Sequence, residues 1–119
     1  MEPSRPFASR RLLRAIEAAL GRDGSITPLS LAELPKKMGV LSQEKRFLTF
    51  TFLLHAPSAL TSQEIAEAIK DQHSNVLRNL HVLTAENLLV VEQDPVTSIY
   101  RYAINRITVG QIVAYFTVT

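Results

Sequence analysis

The chain has no cysteine and no tryptophan, and glycine occupies only four of its 119 positions. Without cysteine, disulfides, thiolate metal sites and thiol redox switches are excluded. The glycines, at positions 21, 24, 39 and 110, are too scattered to cradle a nucleotide phosphate, and no nucleophile elbow is present. We therefore predict that the protein is not an enzyme, with no catalytic residues and no cofactor.

Long apolar runs and a strong charge of one sign are also missing. No run approaches the roughly 18 residues of a membrane span, and the Arg-rich start lacks the apolar core of a signal peptide. We expect a cytoplasmic protein. A net charge of +2 and a pI near 9.2 favour nucleic acid only slightly. At 119 residues with 46% hydrophobic residues, the chain is expected to form one compact domain.

Residues 61–89 predict two short helices joined by a tight turn. Thr61 and Glu64 form a capping box, which satisfies backbone donors at the start of the first helix. The second helix is predicted from about His73 to Glu86, because Val76, Leu80 and Leu83 recur on one stripe. Asn87 enters the left-handed region readily and is expected to end that helix.

The outer face of the second helix carries mostly hydrogen-bonding side chains. Such a helix fits the major groove of B-DNA, where Arg, Asn and Gln read base edges, although a solvated helix face is polar too. Eight residues separate the two histidines of this helix, roughly 12 Å of rise, which is too far for one metal ion to bridge. We predict no metal site, and the candidate DNA-binding residues are Gln72, His73, Ser74, Asn75, Leu77, Arg78, Asn79 and His81.

A hairpin is predicted to follow, with strands at 88–93 and 99–104 and a turn that begins at Asp94-Pro95. Arg101 on the second strand is a further candidate for contact with DNA. The tip carries Asp94 and no Lys or Arg, so a purely structural hairpin is the alternative.

Residues 46–104 resemble the winged-helix transcription regulators of the ArsR and MarR types. The segment Glu64-Ile65-Ala66-Glu67 is similar to the start of their scaffold helix, and residues 76–83 with Leu88-Leu89 are similar to their recognition helix and entry to the wing. Lys70, Asp71 and Leu77 depart from the pattern, since a turn glycine, an apolar residue and a polar readout residue are common there. The cysteine ligands of the metal-sensing members are absent, so that activity is not implied.

The expected fold class is α+β, mostly α: a winged helix-turn-helix with a two-stranded wing and extra N- and C-terminal helices. Residues 42–105 would form the DNA-binding domain, with a helix over 43–55 that is capped by Ser42 and apolar almost all round. Residues 1–41, with helices at 10–20 and 28–38, and a C-terminal helix in 106–119 would mediate dimerisation. Gly39 is expected to close the helix at 28–38, and Lys36 and Lys37 on that helix are expected to be exposed, available to a phosphate or simply solvated.

Two functions follow from this interpretation. The first is sequence-specific binding of double-stranded DNA as a homodimeric transcription regulator, with the helix at about 73–86 in the major groove. The alternative is a winged-helix module that binds another protein without sequence-specific DNA binding. The position of Leu77 on the outer face, the acidic hairpin tip and the low net charge favour this alternative.

Overall fold

The computed structural model describes residues 29–30 and 32–117, which form five helices and one antiparallel hairpin. The elements are α1 (Glu33–Leu41), α2 (Glu44–Leu54), α3 (Ser62–Ile69), α4 (His73–Ala85), β1 (Leu89–Gln93), β2 (Tyr100–Ile104) and α5 (Arg106–Thr117). The helix predicted at 10–20 lies outside the described residues. The mostly helical α+β class is confirmed, with the two strands adjacent in sequence.

Helix α1 begins and ends later than the sequence predicts. Its start is fixed by Ser30 and Glu33, which bond reciprocally: Ser30 N–H donates to Glu33 Oε1 at 3.1 Å and Glu33 N–H to Ser30 Oγ at 3.2 Å. Pro35 falls in the first turn, where a backbone N–H has no intrahelical acceptor, so it does not break the helix. Gly39 does not close the helix as predicted, because the helical backbone continues through it to residue 41.

The prediction that Ser42 caps α2 is wrong. Gln43 is the N-cap, with its Oε1 accepting a hydrogen bond from Arg46 N–H at 2.7 Å. Ser42 belongs instead to the end of α1, where its Oγ donates to Gly39 O at 2.7 Å. The two residues are neighbours that can both cap a helix, and the backbone geometry decides between them.

Helix α2 is buried on one side and exposed on the other. Phe50 and Leu53 are buried in the core, whereas Phe47 is 51% exposed and Leu48 is 44% exposed. The helix carries apolar residues almost all round, as the sequence indicates, but only one side packs against other described residues.

The core lies where α2, α3 and α4 meet the hairpin. Its fully buried side chains are Leu53, Ile65, Val76, Leu80, Leu83 and Leu88. Burying such side chains is the main favourable term in folding, at about 1.5–3 kcal/mol each. The apolar stripe predicted for α4 is thus the side on which that helix is anchored.

The hairpin is tied to the helices by a third segment of chain. Val91 on β1 pairs with Tyr102 on β2, and Tyr102 also pairs with Leu60, which precedes α3. Leu60 N–H donates to Tyr102 O at 3.0 Å, and Tyr102 N–H donates back to Leu60 O at 2.7 Å. This bridge fixes the position of the hairpin relative to the start of α3.

Helix α5 confirms the helical interpretation of the C-terminal segment. Asn105 Oδ1 accepts from Ile107 N–H and Thr108 N–H at 3.2 and 3.3 Å, which starts the helix. Arg106 Nη2 donates to Leu54 O at 3.2 Å and so joins α5 to the end of α2. In the described part of the chain, no helix has both the length and the apolar character needed to cross a membrane.

Candidate nucleic-acid interface

The turn between α3 and α4 is short and left-handed at one residue. Lys70 ends α3 with φ 58° and ψ 50°, the conformation that glycine would adopt at least cost. The chain continues through Asp71, whose N–H donates to Ala66 O at 3.1 Å. The departure from the resembled pattern at Lys70 therefore leaves the turn geometry in place.

The two helices of this unit meet at their first residues. The predicted capping box is present: Thr61 Oγ1 accepts from Glu64 N–H at 3.1 Å, and Glu64 Oε1 from Thr61 N–H at 2.9 Å. Ser62 Oγ and His73 Nε2, from the first residues of α3 and α4, are 2.7 Å apart. Two helix N-termini, each with a positive dipole end, therefore lie side by side.

One face of α4 is free of the protein's own body. The exposed residues on it are Ser74, Arg78, His81 and Ala85, with Gln72 and His73 exposed at the helix start. They lie opposite the buried stripe, as 3.6-residue periodicity requires. Asn75 and Leu77 border this face and are partly buried.

The prediction that Asn79 lies on the outer face of α4 is wrong. It is 6% exposed and lies on the buried side of α4, three residues after Val76 and four before Leu83. Asn79 is therefore not accessible to DNA.

A chain of hydrogen bonds runs along the first two turns of α4. Asp71 Oδ1 accepts from Gln72 N–H at 2.7 Å and from Asn75 Nδ2 at 3.3 Å, and Asn75 Oδ1 accepts from Arg78 Nη1 at 3.3 Å. These hydrogen bonds from Asn75 and Gln72, aided by the charge of Lys45, lower the pKa of Asp71 below its ordinary 3.8. Asp71 is therefore a carboxylate at neutral pH.

The tip of the hairpin is organised by Asp94. Its Oδ1 accepts from the N–H groups of Val96 and Thr97 at 2.8 and 3.0 Å, and its Oδ2 is 3.6 Å from Arg101 Nη1. The pKa of Asp94 is lowered by the hydrogen bonds from Thr97 and Val96, and less by Arg101. The predicted contact residue Arg101 is thus ion-paired at the tip, with a side chain 43% exposed.

Comparisons with solved structures identify the fold. The homodimeric winged helix-turn-helix DNA-binding domain of Mb0332 from Mycobacterium bovis, a possible ArsR-family transcriptional regulator, superposes with a TM-score of 0.59 at 18% identity, covering 74% of this chain and 78% of that one. HlyU from Vibrio cholerae gives 0.56 at 13% identity over 74% and 95% of the two chains. The chain has a winged helix-turn-helix fold. The sequence matches no protein-family model and no curated protein.

The winged helix-turn-helix assigns a position to each element. Helix α3 is the scaffold helix, α4 occupies the position of the recognition helix, and β1 with β2 form the wing. A MarR-like regulator from Thermotoga maritima superposes with a TM-score of only 0.40, at 23% identity over 92% of this chain and 70% of that one, and bears on none of these assignments.

An open groove of about 650 Å³ lies between α4 and the wing. Leu77, His81 and Ala85 line it from the helix, and Val91 and Tyr100 from the wing. Sequence reasoning included Leu77 and His81 but missed the wing residues, because the contact joins elements distant in sequence. The spacing 77, 81, 84 on α4 was the available signal, since these positions share one helix face.

Proposed function

We propose that this protein binds double-stranded DNA sequence-specifically as a homodimeric transcription regulator, with α4 in the major groove. The carrying observation is the exposed face of α4, on which Ser74, Arg78 and His81 stand clear of the protein's own body. An Arg can donate two hydrogen bonds to the O6 and N7 of a guanine, the commonest specific contact in that groove. The solved structure of Mb0332 is itself described as a DNA-binding domain.

Positive charge around α4 supports contact with the phosphates. The adjacent N-termini of α3 and α4 present backbone N–H groups and dipole ends that favour anions. Lys45 and Lys70 are exposed, and Lys45 is near enough to Asp71 to influence its pKa. Gln72 and His73, at the first turn of α4, complete the predicted contact surface; Arg101 of the wing would have to leave Asp94 to join it.

Exposed apolar side chains support a second copy of the chain as partner. Phe47 and Leu48 on α2 are 51% and 44% exposed, and Val113 and Phe116 on α5 are 52% and 63% exposed. Large exposed apolar groups on helices mark interaction sites in soluble proteins. The domain of Mb0332 is described as homodimeric, which favours the same assembly here. Two-fold symmetry would place two half-sites about one DNA turn apart.

A DNA titration tests the proposal. Binding sites are selected from random duplexes, and the affinity for the best site and for unrelated DNA is measured at two salt concentrations. Arg78→Ala should weaken binding to the selected site about 10–100-fold per half-site and weaken binding to unrelated DNA much less, because each subunit loses one bidentate base contact. Arg78→Lys is the matched control: it keeps the charge but not the planar fork, so it should also lose selectivity. Equal binding of all duplexes by wild type would contradict sequence-specific recognition.

The homodimer has its own test. Phe116→Glu should shift the mass measured by light scattering from dimer to monomer, because a carboxylate would be buried in the interface. Val96→Glu is the matched control, since Val96 is an apolar side chain 89% exposed at the wing tip. A dimer that persists in Phe116→Glu would contradict this interface.

The apolar groove favours one alternative function. Leu77, Val91 and Tyr100 would suit an apolar segment of another protein better than a phosphate backbone. A winged-helix module that binds protein through this groove should show no steep dependence on salt. DNA binding through several phosphates should weaken by orders of magnitude between 50 and 200 mM salt, by roughly 10³–10⁵ for 6–10 contacts.

A further inference from the structure

We infer that Asp71 and Asn75 are positioning residues that hold the Arg78 guanidinium for guanine recognition, without touching a base themselves. The inference rests on the proposed function, because it concerns how α4 would read DNA. It changes the role of Asn75, which the sequence alone places among the base-reading residues. The chain of hydrogen bonds from Asp71 through Asn75 to Arg78 carries it.

The carboxylate decides which way the Asn75 amide points. A side-chain amide has a donor end and an acceptor end, and its orientation follows from its hydrogen-bond partners. An ionised Asp71 only accepts, so it takes the Nδ2 end of Asn75 at 3.3 Å. The Oδ1 end is then directed to Arg78, which only donates, at 3.3 Å. Reversal of the amide would place donor against donor and acceptor against acceptor.

Asp71 itself is fixed by the backbone. Its Oδ1 also accepts from Gln72 N–H at 2.7 Å, which is shorter than the 3.3 Å hydrogen bonds of Asn75. Its Oδ2 is buried and has no hydrogen-bond partner within the described part of the chain. The hydrogen bond from Gln72 N–H therefore holds Oδ1 in place, and the position of Oδ1 determines where the Asn75 amide lies.

The consequence for DNA is an arginine that is oriented before binding. Only one of the five N–H donors of Arg78 is used by Asn75, so an edge of the planar fork remains free for the two acceptors of a guanine. A long arginine side chain loses considerable rotamer freedom when it is ordered, and ordering it in the free protein reduces that cost at binding. Both ends of the Asn75 amide are already engaged, and Asn75 is partly buried.

The test compares base preference, which a purely structural role would not change. With the full chain, the base pair read by Arg78 is located as the one at which Arg78→Ala abolishes preference. Affinities are then measured for four duplexes that differ only there. Wild type should prefer guanine by about 10–100-fold. Asn75→Ala and Asp71→Ala should each reduce that preference several-fold, and the double variant should lose little more than either single one.

Asp71→Ala should raise the overall affinity for DNA although it lowers the preference for guanine. Removal of a negative charge beside the phosphates should strengthen binding to unrelated DNA while selectivity falls. Glu67→Ala is the matched control, because Glu67 is an exposed carboxylate residue of α3 that lies outside the chain of hydrogen bonds. Full guanine preference in Asp71→Ala, or equal loss in Glu67→Ala, would overturn the inference but leave the proposed function intact.

An NMR measurement without DNA distinguishes a failure of the inferred hydrogen-bond chain from a failure of the proposed function. The NMR signals of the Asn75 side-chain amide should shift as Asp71 is protonated, with a midpoint below 3.8, because the pKa of Asp71 is lowered by this very contact. Asp71→Ala should remove the shift, and Glu67→Ala should retain it. An Asn75 amide that does not respond would refute the hydrogen-bond chain. A response in a protein that binds no DNA would refute the proposed function instead.

Discussion

Lys37 connects α1 to the C-terminal end of α4, and its substitution tests how much that connection stabilises the fold. It is 6% exposed, and its Nζ donates to Glu86 O at 2.6 Å and lies 3.4 Å from Glu86 Oε1. Glu86 is the C-cap of α4, where carbonyls lack partners and the helix dipole is negative. The expectation from sequence that Lys37 is exposed and available to a phosphate is therefore wrong.

The expected loss in the free energy of unfolding follows from the interactions that Lys37→Met removes. A hydrogen bond to a charged group contributes about 1.5–3 kcal/mol, and a cation at a helix C-terminus about 0.3–1 kcal/mol. Relief from desolvating a buried ammonium offsets part of that loss, while Met retains most of the apolar stem. We expect a net loss of about 2 kcal/mol in the free energy of unfolding. For a domain of this size that lowers Tm by roughly 5–10 °C.

Thermal and urea unfolding, followed by circular dichroism, measure this effect. Lys36→Met is the matched control, since Lys36 is the neighbouring residue of the same helix and is exposed. It should change the free energy of unfolding by less than about 0.5 kcal/mol. Equal stability of the two variants would refute the argument that Lys37 satisfies the end of α4.

Three further predictions concern stability. Thr61→Ala should cost about 1 kcal/mol in urea unfolding, because the capping box at the start of α3 is lost; no loss would contradict that role. Lys70→Gly should stabilise the chain by about 0.5–1 kcal/mol in the same assay, since Lys70 has φ 58°, and destabilisation would show that its side chain matters more than its backbone. Because the folded pKa of Asp94 is lowered, its stabilising contribution is present above pH 3.8 and is lost as pH falls through the folded value. NMR titration of the Asp94 carboxyl should therefore give a midpoint below 3.8, and a midpoint at or above it would contradict the hydrogen bonds at the wing tip.

Features fixed by local sequence were predictable. The capping box at Thr61, the buried stripe of α4 and the hairpin each depend on residues within one turn or one pair of strands, so spacing and turn chemistry suffice. The limits of α1 were predicted less well. Pro35 and Gly39 are usually helix breakers, but here one lies in the first turn and the other is tolerated within the helix.

Features that depend on a distant partner were not predictable. Asn79 and Lys37 are polar residues that sequence reasoning assigns to the surface, yet both are buried. Lys37 is 49 positions from its acceptor in Glu86, and periodicity within α1 contains no information about that contact. The groove beside Leu77 is missed for the same reason, because Tyr100 reaches it from the wing.

Three basic side chains each satisfy the end of a helix, which affects how much positive charge is available for the proposed DNA binding. Lys37 donates to Glu86 O, Arg46 to Val40 O at 3.1 Å and Arg106 to Leu54 O, and each of these carbonyls lies at or near the C-terminal end of a helix. Cations in these positions satisfy the last carbonyl groups of a helix and interact favourably with the negative end of its dipole. The formal charge of the chain therefore overstates what is free to meet phosphates.

Two neighbouring residues of α2 provide a comparison between an exposed cation and a cation that is bonded to a helix end. Lys45 is exposed and near Asp71, whereas Arg46 is partly buried and bonded to Val40 O. If the proposed dimer uses Lys45 on phosphates, Lys45→Gln removes two contacts per dimer and should reduce the slope of log K against log salt by about 1.8. Arg46→Gln should leave that slope unchanged and lower Tm instead, because it unties the end of α1. The reverse pattern would mean that the exposed surface near the turn does not face DNA.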